Sequence, residues 1–310
     1  MSEDTTITTV PAETAPAPAA PTPPPRPARL IAVANQKGGV GKTTTVINLA
    51  ACLGELGQRI LVVDLDPQAN ATSGLGLGRQ QGNSLYRALL GDGHAVDGIQ
   101  ATVAPGVHMI PSELDLAGSE VDIARSDRYL HRLREALAPV RESGQFDFIF
   151  IDCPPSLGIL TMNALAAADA LLVPIQCEYY ALEGLSVIHK LMAQLRESGA
   201  NPNLRLAGIV MTMFDARTRL GTEVVREVNR HFASSVFDTV IPRNVRLSEA
   251  PSFGKPVSQY DRFSAGASAY RRLAEEFLER EGVPQSTWKR EPEEMRRVPL
   301  FRITVIARED

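Results

Sequence analysis

Two lysines five residues apart, Lys37 and Lys42, stand in the stretch "NQKGGVGKTTT" between Asn35 and Thr45. Around them lie Gly38, Gly39, Val40, Gly41 and Thr43, the composition of a loop that cradles phosphate. Glycines let backbone N–H groups turn inward around phosphate oxygens, and a helix N-terminus beyond the loop adds its dipole. Lys42 can reach the β- and γ-phosphates of a nucleotide, and the Thr43 hydroxyl can ligate Mg²⁺. The usual pattern, G-x-x-x-x-G-K-[ST], places a glycine five residues before Gly41, where this chain has Gln36. Lys37 is therefore a cation in excess of what one phosphate loop needs.

Two further stretches carry acids that such a loop can use. In "ILVVDLDPQAN", Asp64 and Asp66 end an apolar run. Asp-Pro makes a good strand-ending turn, and an acid beside a phosphate loop can also meet Mg²⁺ or the water that attacks the γ-phosphate. In "FDFIFIDCPPS", Asp152 closes a bulky apolar run and reads as the second acidic arm, holding Mg²⁺ directly or through water. Pro154 and Pro155 stiffen the next segment, which is suited to sensing the γ-phosphate. Cys153, with no base or partner cysteine near it in sequence, reads as a small buried hydrophobe.

These groups need a frame that delivers them to one edge. Apolar runs at Leu30–Ala34, Ile60–Asp64, Phe146–Asp152, Ala170–Pro174 and Leu206–Met211 read as buried parallel strands. Helical stripes lie between them: Leu185, Ile188, Met192 and Leu195 on one, and Leu130, Leu133 and Leu137 on another. Strand–helix alternation predicts a single α/β domain, a mostly parallel twisted sheet with helices on both faces. Ligands of such sheets bind beyond the carboxyl ends of the strands, where all three motifs fall.

The domain is expected over 29–283, between a Pro/Ala-rich tail at 1–28 and an extension at 284–310. The tail cannot bury enough apolar surface to offset its ordering entropy; it reads as a spacer or as an arm that touches a partner or DNA. The extension holds "VPLFRITVIA", an added edge strand or a loosely held end. With 310 residues and 44% hydrophobic content the chain can build a sizeable core. A net charge of −4 gives no global pull toward nucleic acid or anionic membrane, so such a partner must meet a local basic patch. Three scattered cysteines exclude a disulfide framework or zinc site and suit a reducing cytosol. No run long enough to span a membrane is present, nor the basic-then-apolar order of a secretion signal.

Together "KGGVGKTTT", "DLDPQANATSGLG", "FIDCPPS" and "TVIPRNVRLSEAPSFGKPV" resemble the ParA/Soj chromosome-partitioning ATPases, deviant P-loop (deviant Walker A) proteins related to MinD. The likeness runs from about Arg29 to Glu281. It implies an ATPase using ATP and Mg²⁺, with slow, switch-type turnover. By resemblance Lys37, Gly38, Gly39, Val40, Gly41, Lys42, Thr43 and Thr44 hold the nucleotide, and Pro242 and Asn244 of "IPRN" contact its base. Thr43, Asp66 and Asp152 match the magnesium-site residues, and Asp66 matches the aspartate that positions the hydrolytic water. Lys37 matches the signature lysine that reaches across an ATP-dependent homodimer to the other subunit's nucleotide, so Lys37, Lys42 and Asp66 form the catalytic set.

The resemblance further implies non-specific double-stranded DNA as a ligand and a ParB-type centromere-binding protein as a partner, with no membrane attachment. The location it implies is cytoplasmic and nucleoid-associated. Arg217 and Arg246 fall where Soj relatives place DNA-contacting arginines, with Arg219 and Arg243 beside them. The alternative for this basic stretch is a solvated face, with Glu223 and Glu227 as ion-pair partners. A MinD-like membrane helix is disfavoured by the three prolines and many acids after Glu275. An iron-protein-like cluster is disfavoured by the cysteine positions. An N-terminal helix-turn-helix is not expected in the Pro-rich residues before the first strand.

Overall fold

The computed structural model describes residues 26–79, 81–178 and 181–289. Among the described residues seven strands form one sheet: β1 (Arg29–Val33), β2 (Ile60–Asp64), β3 (Gln100–Ala101), β4 (Val107–Ile110), β5 (Phe148–Asp152), β6 (Ala170–Gln176) and β7 (Arg205–Thr212). Their spatial order is β3-β4-β2-β5-β1-β6-β7, with β3 antiparallel to β4 and every other pair parallel. The parallel pairs result from long crossovers, each carrying helix.

Alternation along the strands sorts the core into two layers. Leu30, Ala32, Leu61, Val63, Ile149 and Ile151 face one layer. Against them pack α3 (Tyr86–Leu90), α4 (Leu116–Ala124), α5 (Arg132–Glu142), α6 (Ile159–Ala167), α7 (Ala181–Glu197) and α8 (Arg219–Phe232). Ile31, Val33, Ile60, Val62, Phe148 and Phe150 face the other layer, built by α1 (Lys42–Glu55), α2 (Asn70–Gly74) and α11 (Ala265–Arg280). Two short helices, α9 (Val245–Glu249) and α10 (Val257–Tyr260), join β7's side of the molecule to α11. The expected arrangement, helices on both faces of a mostly parallel sheet, is the one observed.

The five expected strands are present, Ile60–Asp64 with the expected bounds and the other four with one or both ends shifted by one or two residues, and two were missed. β4 has four residues with His108 exposed, and β3 has two, too little pattern to stand out from a loop. The stripe at Leu185, Ile188, Met192 and Leu195 is buried on α7, while Leu130 precedes α5 and only Leu133 and Leu137 lie on that helix.

α1 runs so close to the loop before β4 that a methyl group on Gly54 would sit 2.2 Å from Pro105 O. At the amino end of the sheet the buried Glu281 carboxylate takes Arg29 at 3.1 Å and Arg205 at 2.6 Å, tying β1 and β7 to the end of α11. Of the extension, Trp288 packs on the α1–α11 layer and Lys289 N donates to Leu56 O at 2.9 Å. "VPLFRITVIA" and the tail through residue 25 lie outside the described residues.

Candidate nucleotide site

β1 ends at Val33 and the chain turns through Asn35–Gly41 into α1. Gly39 and Gly41 take φ of +73° and +87°, a left-handed backbone that side chains with a Cβ adopt only with strain. The Thr212 hydroxyl at the end of β7 braces the loop, 2.8 Å from Val40 O and 2.9 Å from Ile175 O. Asn35 braces its other end, donating through Nδ2 to Pro174 O at 2.8 Å and accepting from Lys37 N at 3.0 Å. Sequence reading missed both residues, because their partners lie on strands remote in the chain.

The two lysines of the loop part company. Lys42 is buried, and its Nζ turns back to donate to Lys37 O at 3.2 Å. The Lys37 side chain is 42% exposed, and its Nζ meets Glu178 Oε2 at 2.8 Å, just past β6. Burial holds the Lys42 ammonium below the usual lysine range, opposed by the attraction of Asp152 and Asp66.

Register brings the acids together: Asp64 and Asp152 are direct partners across β2 and β5. Asp152 is fully buried, and neither of its oxygens has a well-aligned hydrogen-bond partner among the described residues. Burial, then repulsion from Asp64, pushes its pKa well up, and the nearby Thr43 hydroxyl and Lys42 charge offset only part. Asp64 is pushed up to about 6 by burial, although Thr72 N and Oγ1 donate to it at 2.8 and 2.7 Å and Asp66 N at 3.1 Å. Asp66, nearly buried, accepts from Gln68 N at 2.9 Å. Asp152 and Asp66 thus share one buried ammonium, and a buried carboxylate beside a threonine hydroxyl suits a hard divalent cation. No group of three or more His, Cys, Asp or Glu among the described residues forms a cage of its own; Mg²⁺ in such sites takes one or two protein oxygens, phosphate and water.

Beside the loop opens a cleft of about 500 Å³, lined by Gly41, Thr43, Thr44, Pro242, Asn244 and Tyr270 among others. Pro242 and Asn244, distant in sequence, therefore share one cavity with the start of α1. Asn244 Oδ1 also caps α9, accepting from Arg246 N at 2.9 Å. Below the cleft, Tyr270 Oη and Thr45 Oγ1 stand 3.1 Å apart. Ser73 and Asn70 of α2 also line the wall; both lie in the "DLDPQANATSGLG" motif but carried no assigned role.

Of the four expected DNA arginines, Arg243 lines the cleft beside the phosphate loop, and Arg217, Arg219 and Arg246 are not among its lining residues. Arg217 and Arg219 are 87% and 93% exposed, paired with Asp215 at 2.7 Å and Glu223 at 2.8 Å. Arg246 pairs with Glu249 at 2.8 Å and Asp261 at 3.1 Å. Arg243 is exposed as well and lines the rim of the cleft. Cys153 is buried, and burial followed by repulsion from Asp152 raises its pKa, as befits an inert thiol. Among the described residues no helix is long and apolar enough to cross a membrane.

A family model described as an AAA domain matches residues 28–206. The chromosome partitioning protein ParA of Caulobacter vibrioides is 50% identical over 256 residues, spanning 82% of this chain and 96% of that protein. The chromosome-partitioning ATPase Soj of Thermus thermophilus is 52% identical over 252 residues, spanning 81% and 96%. Among solved structures, a cobyrinic acid a,c-diamide synthase from Mycobacterium smegmatis with bound ADP and magnesium aligns with a TM-score of 0.71 and 37% identity, covering 82% of this chain and 96% of that one. With a phosphate loop, two acidic strand ends and relatives at this level over most of its length, the chain belongs to the ParA/Soj family of chromosome-partitioning P-loop ATPases.

Proposed function

We propose that this chain is an ATP-switched partition ATPase that dimerises on ATP, binds DNA without regard to sequence, and hydrolyses ATP when a ParB-type protein stimulates it. The observation that carries this reading is the divergence of Lys37 and Lys42. Lys42 is buried over its own subunit's acids, while the Lys37 side chain is exposed and its ammonium meets the half-exposed Glu178. A cation held outside its own site can serve the nucleotide of a second copy, stabilising charge that spreads over the transferred phosphoryl group.

Within one subunit Gly38 to Thr44 cradle the phosphates, and Pro242 and Asn244 receive the base in the adjoining cleft. Asp152 and Thr43 would hold magnesium, with Asp66 beside them, and the bound ion neutralises phosphate charge. Asp66 orients the attacking water from the end of β2. The exposed Arg217, Arg219, Arg243 and Arg246 contact DNA phosphates, exchanging their carboxylate partners for them, and dimerisation doubles the patch. Such a cycle places the protein in the cytoplasm on the nucleoid.

Binding to random-sequence duplex DNA tests the reading. It should require ATP and Mg²⁺ and weaken about 10⁴-fold between 50 and 200 mM salt if the dimer's doubled patch neutralises about eight phosphates. Arg217→Ala with Arg246→Ala should abolish it while ATP-dependent dimerisation persists. Binding indifferent to nucleotide would sink the switch.

A further inference from the structure

Helix α4 carries two faces with different fates. Leu116, Ser119 and Ile123 are buried against the sheet layer. Ala117, Gly118 and Val121 of the helix, with Leu114 of the turn leading into it, stand exposed among the described residues at spacings of i, i+3, i+4 and i+7 from Leu114. Leu114 is 64% and Val121 56% exposed, and a methyl group on Gly118 would meet nothing within 4 Å. Two large aliphatic side chains flanking two small residues form a shallow seat that a second helix can approach closely. Asp115 and Asp122 border this stripe, both exposed.

Segments adjoining both acidic strand ends border this helix. The segment leading into it includes Ser112, whose N–H donates to Thr72 Oγ1 at 2.9 Å; Thr72 in turn donates to Asp64. On its flank, Glu120 overhangs the segment after Asp152, so that a methyl group on Gly158 would lie 2.7 Å from Glu120 Oε1. A load placed on α4 thus bears on both strand ends that carry the acids, through packed and hydrogen-bonded neighbours.

We propose that the outer face of α4 is the docking seat of the hydrolysis-stimulating partner, and that it takes an amphipathic helical segment with an apolar stripe flanked by Lys or Arg. The bordering carboxylates select that charge, and the aliphatic pair supplies the burial. This rests on partner-stimulated hydrolysis as proposed above.

The test uses the full chain with a purified ParB-type protein as probe. Gly118→Lys fits the open space and opposes a basic segment; Val121→Lys removes half of the aliphatic pair. Each should raise the probe concentration needed for half-maximal ATPase stimulation by about tenfold or more. Basal turnover, ATP-dependent dimerisation and DNA binding should stay at parental levels. Unchanged stimulation in both variants overturns the proposal. Loss of dimerisation without the probe also overturns it, by assigning the face to a second copy, and a changed basal turnover does so by assigning it to a contact within the chain. If the parental chain itself is not stimulated, the functional reading fails before the seat is tested.

Discussion

Lys37 and Lys42 are five residues apart, yet one sits in a buried acidic pocket and the other in solvent. Their removal should therefore have separable effects. Lys37→Ala should bind ATP with near-parental affinity, because no contact to its own phosphate pocket is lost. It should fail to dimerise, and turnover should fall about 10³-fold, the scale of a cation supplied in trans; light scattering and single-turnover kinetics check this. Asp66→Asn should form the ATP-bound dimer and hydrolyse about 10²- to 10⁴-fold more slowly. Normal turnover in that variant would remove Asp66 from the reaction. The residue types and their spacing were legible in the sequence at this scale. The burial of Asp152 directly against Asp64 was not, because it depends on β5 lying between β1 and β2.

At the scale of elements, α1 links the loop to the core, and its placement rests on close backbone packing. Gly54→Ala would force a methyl group against Pro105 O, now 2.2 Å from that position. The expected cost is about 1–3 kcal/mol, read as a lower urea midpoint with an unchanged slope. A variant as stable as the parent would show that the loop before β4 yields freely. The long buried strands and helical stripes could be read in advance because each carries a periodic apolar signal over many residues. β3 and β4 could not, since β4 is recruited as a short strand by the edge of β2 rather than by its own pattern. The same limit hid Thr212, which closes the phosphate loop from a strand 172 residues away in sequence.

Across the whole molecule, electrostatics should make stability depend on pH and on ligand together. The folded pKa values of Asp64 and Asp152 are raised, to about 6 for Asp64, so the native state binds more protons than the unfolded chain. Their contribution is fully present below the unfolded carboxylate range near pH 4 and is lost as pH rises through about 6 and beyond. Asp215, drawn down to about 2 by its hydrogen bonds from Arg217, acts with the opposite sign outside that window. Without nucleotide and magnesium the melting temperature should therefore fall between pH 5 and 7. Adding both should restore it most at pH 7, a pattern calorimetry can check. A melting temperature that rises over this range without ligand would mean that burial does not hold these two carboxyls above their ordinary range.

The sequence by itself determined the chemistry on offer: one phosphate loop with a spare lysine, acids at strand ends, and a strand–helix alternation that admits few topologies. Local periodicity and turn chemistry suffice for that, since each signal is carried by neighbours along the chain. Only the tertiary structure decided which groups meet. Strand order set Asp64 against Asp152, and packing drew Pro242 and Asn244 to the start of α1. The fold also turned Lys37 outward toward Glu178. Those outcomes depend on contacts between segments far apart in sequence, whose desolvation and register no single stretch encodes.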